Sequence, residues 1–217
     1  SMTINHTTDT TRYPDLRGKT AVVTGSSSGI GEAIARHMGS EAMNVVINYM
    51  SADEKVIDGL IYLIEQSGGH AVGIRADVGT ESGVQAIYDK AIEAFGDIDV
   101  WVNNAGFEIQ SATHETSYED WQRVLHVDLD GVFLGTKIAV QHFLKHNKQG
   151  SILNTSSIHD IIPWPTYASY ATAKAGVLMF TKTTALEYAE QGIRINAISP
   201  PSQTHPTPVS YTHLRAH

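Results

Sequence analysis

The sequence predicts a doubly wound α/β domain, a parallel sheet with helices on both faces. Three observations predict it. Short β-branched runs alternate with helical stretches six times along the chain, as crossover-connected parallel strands require. The first strand runs directly into a glycine-rich turn that opens a helix, Gly25-Ser-Ser-Ser-Gly29-Ile-Gly31. Gly25, Asp77, Asn104 and Ser157 each stand just after a strand, which gathers them on the sheet edge where such folds bind ligands.

The elements follow in order. Lys19–Thr24 is a β-branched run and reads as a buried strand. The helix after the glycine turn, through E-A-I-A-R-H-M-G, puts Ala33, Ile34 and Met38 on its inner side. Asn44–Tyr49 is the second strand; Ala52–Ser67 is an amphipathic helix with Val56, Leu60, Leu63 and Ile64 inward, closed by Gly68-Gly69. His70–Ala76 is the third strand, and Thr80–Phe95 a helix capped by Thr80 and stopped at Gly96. Ile98–Val102 leads into Asn103-Asn104-Ala105-Gly106. One long helix, with Trp121, Leu125, Phe133 and Val140 among its apolar positions, is expected from Ser117 to about His146. Ser151–Thr155, a helix over Tyr167–Glu190 stopped by Gly192, and Ile193–Ile198 complete the set.

Composition narrows the function classes. The chain has 217 residues, 41% of them hydrophobic, enough for one domain with a substantial core. A net charge of −8 disfavours nucleic acid and anionic membrane surfaces as partners. With no cysteine there are no disulfides and no thiolate metal site, in keeping with a reducing cytoplasm. No apolar run reaches the roughly 18 residues of a membrane span, and the N-terminal stretch lacks a signal-peptide core. Ser1 before Met2 reads as a cleavage scar, and residues 1–16 as a mobile arm ahead of a domain at 17–200. His142 and His146 are spaced as a metal pair would be, but without a third ligand they read as an exposed helix face.

Two motifs carry chemistry. The glycine turn between strand and helix is a phosphate cradle: glycines let backbone N–H groups approach a pyrophosphate at a helix N-terminus. Tyr170 and Lys174 stand four apart in a helical stretch, so both rise from one face. A phenol titrates near pH ~10, and a neighbouring ammonium favours its ionised form, which suits general acid–base work. Ser157, thirteen residues earlier, fits the end of a strand from which it could donate to the same substrate oxygen.

Together, Thr24-Gly25-x-x-x-Gly29-x-Gly31, Asn103-Asn104-Ala105-Gly106, Ser157, Tyr170 and Lys174 resemble the classical short-chain dehydrogenases/reductases, a Rossmann-type family. The runs N-A-G-F-E, S-S-I-H, I-P-W-P and A-L-E-Y-A are most similar to bacterial glucose 1-dehydrogenases. The resemblance implies that Ser157 orients the substrate oxygen, that Tyr170 accepts its proton, and that Lys174 assists Tyr170 and binds the nicotinamide ribose. It implies a cofactor held by Gly25, Ser27, Gly29, Ile30, Gly31, Asn48, Tyr49, Asp77, Val78, Asn104, Ala105 and Gly106, with Asp77 and Val78 at the adenine. Glu108 and His159 match sugar-contacting positions. The implied reaction is oxidation of the glucose anomeric hydroxyl to a lactone, by a cytoplasmic homotetramer. The alternatives are a carbonyl or 3-oxoacyl reductase on the same scaffold, and a cofactor-binding remnant without activity.

The chain departs from the family pattern in three places. Asp128 stands where the family has a proton-relay asparagine, so an altered relay is expected. Asn48-Tyr49-Met50-Ser51 carries neither the acid that favours NAD nor a base for NADP, and Ser28 is not basic; NAD is favoured, with NADP admitted. After about Pro200 the family's lid, helix and seventh strand are missing or replaced. Residues 201–217 read as a non-family tail that resembles translated adapter sequence. Such a chain would leave its sixth strand as an open edge, with weak stability and reduced turnover.

Overall fold

The computed structural model describes residues 14–156 and 163–198. Among these, six parallel strands form one sheet in the order β3-β2-β1-β4-β5-β6. The strands are β1 (Thr20–Val23), β2 (Asn44–Tyr49), β3 (His70–Arg75), β4 (Val100–Asn103), β5 (Ser151–Thr155) and β6 (Arg194–Ile198). The helices are α1 (Gly29–Ser40), α2 (Glu54–Gln66), α3 (Glu81–Phe95), α4 (Tyr118–Leu125), α5 (Gly131–Lys145) and α6 (Ala168–Tyr188). The strand order reverses between β1 and β4, the doubly wound arrangement the alternation predicts, with its ligand crevice at that switch point.

The strands are buried on both faces, so their side chains alternate between two cores. Ala21, Val23, Val45 and Ile47 meet Ile57, Leu60 and Ile64 of α2 on one side. Val22, Val46, Trp101 and Ile152 meet Ile87 of α3 and Phe143 of α5 on the other. The end of the expected N-terminal arm is ordered: Pro14–Leu16 forms one 3-10 turn, and Leu16 packs on the first of these cores.

Helix orientation differs from expectation at several positions. In α1 the buried face is Gly31, Ala35 and Gly39, while Ala33 is exposed. Small residues at this spacing let the helix axis approach its neighbours: a Cβ on Gly39 would come within 2.7 Å of Ile64. In α2 the inward set is Ile57, Leu60 and Ile64; Val56 and Leu63 face out. Phe133 is also exposed. The long helix expected over 117–146 is interrupted by a single π turn, His126–Asp130. His142 is not on an exposed face: it is buried between Tyr88 and Asp97, its Nδ1 2.9 Å from the Tyr88 hydroxyl and its Nε2 2.8 Å from Asp97 Oδ1. Lys148 pairs with the same carboxylate and with Asp99, 2.6 Å away. Although burial works against it, hydrogen bonds from Lys148, His142 and the Ile98 N–H hold the Asp97 carboxyl down, at about 2.

A buried polar chain crosses the second core. Trp101 Nε1 donates to Asn103 Oδ1 (2.9 Å), and Asn103 Nδ2 donates to Asn154 Oδ1 (2.9 Å) and Thr136 Oγ1 (3.3 Å). Asn154 Nδ2 donates in turn to Thr181 Oγ1 at 3.0 Å. The chain joins β4 and β5 to α5 and α6, and each amide has its partners, as burial demands. Gly135 makes room for it: a Cβ there would lie 2.1 Å from Asn103 Oδ1 and 2.6 Å from Trp101 Nε1. Gly135→Ala is therefore expected to destabilise the fold by about 2 kcal/mol or more, despite the better helix propensity of alanine. Urea denaturation measures this, and an unchanged midpoint would contradict it.

Candidate active site

The crevice between β1 and β4 is built by two backbones in contact. Gly25, at φ +57°, sits so close to Ala105 that a Cβ would lie 2.6 Å from the Ala105 Cα. A Cβ on Gly31 would lie 2.3 Å from both Asn104 Nδ2 and the Gly25 carbonyl oxygen. Thr24 fixes the approach: its Oγ1 accepts from the N–H groups of Asn104 (2.9 Å) and Ala105 (3.0 Å) and donates to the Val102 carbonyl (3.3 Å). The turn is held from its other side by Asn48, whose Oδ1 accepts from the Gly25 N–H at 3.1 Å while its Nδ2 donates to Ala76 O, also at 3.1 Å. Asn104 Nδ2 donates to the Gly25 carbonyl at 3.0 Å. Both asparagines thus shape the cradle through their side chains.

The first turn of α1 points into this crevice. Its N-cap residue, Ser28, makes no side-chain cap bond. Asp53, Thr80 and Ser117, by contrast, accept from the N–H groups that open α2, α3 and α4. Uncapped N–H groups beside glycines are what a pyrophosphate needs.

A cleft of about 640 Å³ runs from this turn to α6. Of the expected cofactor positions, Gly25, Ser27, Ile30, Asn48, Tyr49, Val78, Asn104, Ala105 and Gly106 line it. Gly29 and Gly31 are outside the lining: Gly29 is exposed at φ +57°, and Gly31 is buried behind the wall, where it permits the close packing described above. Asp77 is also outside the lining; its Oδ1 accepts from the Gly79 N–H at 2.8 Å and shapes the turn after β3. Glu108, Tyr170 and Lys174 line the far end. Lys174 Nζ is 5.6 Å from the Tyr170 ring centroid, one helical turn along α6. Ser157 and His159 lie outside the described residues. Their neighbours Thr155 and Ser156 line the cleft.

Sequence reasoning missed several walls of this cleft. Phe107 and Arg123 line it together, with the guanidinium 5.4 Å from the ring centroid. Thr24, behind the wall, was read as the end of a strand and the first residue of the glycine motif, without the bridging role its hydroxyl plays. Arg123, in the middle of α4, carried none.

Asp128 is buried in the π turn behind Gly106 and Phe107. Its Oδ1 accepts from the Phe107 N–H at 2.9 Å, and its Oδ2 has no hydrogen-bond partner among the described residues. Burial pushes this carboxyl up to about 6, against the Phe107 N–H and the charge of Lys174, with Glu108 adding to the rise.

The comparisons with known proteins agree with this geometry. The family model described as short chain dehydrogenase matches residues 19–211, beyond the boundary expected near Pro200. The chain belongs to that family. This short-chain dehydrogenase is 53% identical over 194 residues to a 3beta-hydroxysteroid dehydrogenase of Eggerthella lenta, covering 89% of this chain and 74% of the relative. It is equally, 53%, identical over 189 residues to glucose 1-dehydrogenase 2 of Bacillus subtilis, covering 87% and 73%. A solved structure from Sinorhizobium meliloti, described as a short-chain alcohol dehydrogenase, superposes with a TM-score of 0.80 at 29% identity, over 92% of this chain and 77% of that one. The protein is accordingly an oxidoreductase that works with a nicotinamide cofactor, and the glycine cradle fits the diphosphate of such a group. Among the described residues no helix is long and apolar enough to cross a membrane, and no cluster could hold a metal ion.

The raised Asp128 has a thermodynamic consequence. Because its folded-state value lies above its ordinary 3.8, its stabilisation is complete below about pH 4 and is lost as pH rises through about 6. A shift of that size corresponds to about 3 kcal/mol. The stability difference between wild type and Asp128→Asn should therefore move toward the variant by up to that amount between pH 4 and 8. A pH-independent difference in urea denaturation would exclude it.

Proposed function

We propose that this dehydrogenase oxidises a ring hydroxyl of a sugar, with glucose the first candidate and a lactone the product, using NAD in preference to NADP. The observation that carries the reading is the Tyr170–Lys174 pair on the wall of a cleft whose opposite end is a phosphate cradle. Tyr170 takes the proton of the hydroxyl as a general base. Lys174, 5.6 Å from that ring, favours negative charge on the phenol and supports the nicotinamide ribose. Ser157 donates to the substrate oxygen. When bound, the cofactor accepts the hydride from the carbon being oxidised.

Glu108, on the cleft wall, supports a polyol substrate, because a carboxylate accepts hydrogen bonds from neighbouring hydroxyls; His159 joins it in this role. Gly25, Ser27 and Ile30 hold the diphosphate, with Gly31 packed behind them; Asn48, Tyr49, Val78, Asn104, Ala105 and Gly106 form the adenosine and ribose walls, and Asp77 shapes the turn behind Val78. Asp128 is coupled to Lys174: above about pH 6 its carboxylate offsets part of the lysine charge, which an asparagine would not do. The equal identity to a steroid and a glucose dehydrogenase favours a second reading, in which the substrate is a 3β-hydroxyl on a steroid ring. The protein works in the cytoplasm, and exposed Phe133 of α5 and Met179 and Leu186 of α6 supply faces for pairing with further copies, as a tetramer needs.

Reduced nicotinamide formed from NAD⁺ and glucose, or from NAD⁺ and a 3β-hydroxysteroid, decides between the substrates. Tyr170→Phe should lower turnover of the active substrate by about 10²–10⁴-fold while NADH binding, followed by fluorescence, stays the same. Retained turnover would remove Tyr170 as the base. Gly31→Ala should abolish NADH binding, since its Cβ meets Asn104 and the Gly25 carbonyl.

A further inference from the structure

Beyond the catalytic pair, the adenosine end of the cleft carries an ion pair that no step above uses. Arg75, the last residue of β3, is the register partner of Tyr49 at the end of β2. Its guanidinium stacks on the Tyr49 ring, 4.9 Å from the centroid. Nη1 donates to the Met50 carbonyl at 2.6 Å, and Nη2 to the Ala52 carbonyl at 2.9 Å. Nη2 also meets Glu54 Oε1 at 3.2 Å, and the Tyr49 hydroxyl donates to the same carboxylate at 2.7–2.8 Å. The loop between β2 and α2 is thus strapped at two carbonyls, and its Met50 and Ser51 line the cleft beside Asn48 and Tyr49.

This arrangement bears on charge. The lining from Asn48 to Ser51 has no ionised side chain, so neither a carboxylate nor a cation in the wall itself reads the ribose 2′ position. Arg75 lies one hydrogen bond behind Met50 and is offset by Glu54, while the other carboxylate of this loop, Asp53, caps the α2 N-terminus. Hydrogen bonds from Tyr49 and Arg75 hold the Glu54 carboxyl below its ordinary range, so it is ionised at neutral pH.

We propose that the Arg75–Glu54 pair sets the discrimination between a 2′-hydroxyl and a 2′-phosphate on the cofactor's adenosine ribose: balanced, it leaves the enzyme weakly selective, and loss of either partner tips the choice in opposite directions. The proposal rests on the reading of the cleft as a nicotinamide dinucleotide site. Removing the carboxylate leaves the guanidinium charge to attract a phosphate; removing the guanidinium leaves a carboxylate that repels one. Arg75 acts through the loop and through its field, as a positioning residue.

The test is titration of the full chain with NADH and with NADPH by nicotinamide fluorescence, which needs no turnover. Relative to wild type, Glu54→Gln should shift the affinity ratio toward NADPH by about two- to fivefold, and Arg75→Gln toward NADH by a similar factor. That is the size expected of a half-exposed charge acting through water. The double variant should return the ratio to the wild-type value, and 1 M salt should shrink both shifts. Equal weakening of both cofactors in both single variants, with an unchanged ratio, would reduce the pair to a loop strap and overturn the proposal. Failure of the wild-type chain to bind either nucleotide would instead overturn the dinucleotide reading and the proposal with it.

Discussion

The architecture depends on one close approach, that of the turn after β1 to the turn after β4. These are the two strands between which the winding of the sheet reverses. Helices on opposite faces leave a gap at that point, and something must hold its lips together without filling it. Thr24 does so with a single hydroxyl that donates once and accepts twice, its full capacity. Glycine at 25 and 31 keeps the lips side-chain free, so backbone meets backbone. A cradle, a cleft and a wall for α6 all follow from this contact.

Behind the cleft, polar groups are buried in two styles. The chain from Trp101 through Asn103 and Asn154 to Thr181 is satisfied along its length, and it registers two strands against two helices. Asp128 is the opposite case, with one oxygen used and the other unpartnered among the described residues. A satisfied network gives rigidity; a half-satisfied carboxyl costs stability once it ionises, and such costs collect at functional sites. The Asp97–His142–Lys148 knot, which ties α5 and the turn after it to the segment just before β4, is of the first kind: each group there faces an opposite charge or a donor.

Much of this was legible in the sequence. Asn44–Tyr49 and Ser151–Thr155 were bounded correctly because β-branched runs end abruptly at polar residues. Thr80 and Gly96 bracket α3 because their capping chemistry is local. The glycine turn and the Tyr170–Lys174 pair were legible for the same reason: spacing within one turn or one helix fixes their geometry. What could not be read depends on partners distant in sequence. The α2 stripe was misassigned at Val56 and Leu63 because apolar residues occupy two neighbouring faces, and only the sheet chooses between them. The buried face of α1 is made of small residues, which hydrophobic patterning does not score. His142 is buried by Asp97, 45 residues earlier in the chain. The π turn has no composition of its own; it arises where tertiary packing is stronger than helical regularity.

That turn has a further consequence. From Val124 through Asp128, Val132, Thr136 and Val140, the buried positions advance by four residues at each step, whereas an α-helix repeats every ~3.6. A regular helix would let this stripe wander off the sheet, and the surplus residue of the π turn resets its phase. Deleting one residue there would smooth the backbone but swing all of α5 by about 100°, unseating Gly135 from the tryptophan and His142 from its carboxylate together. The irregularity works like a leap day in a calendar, keeping two incommensurate cycles aligned where the acid–base helix and the cofactor cleft meet.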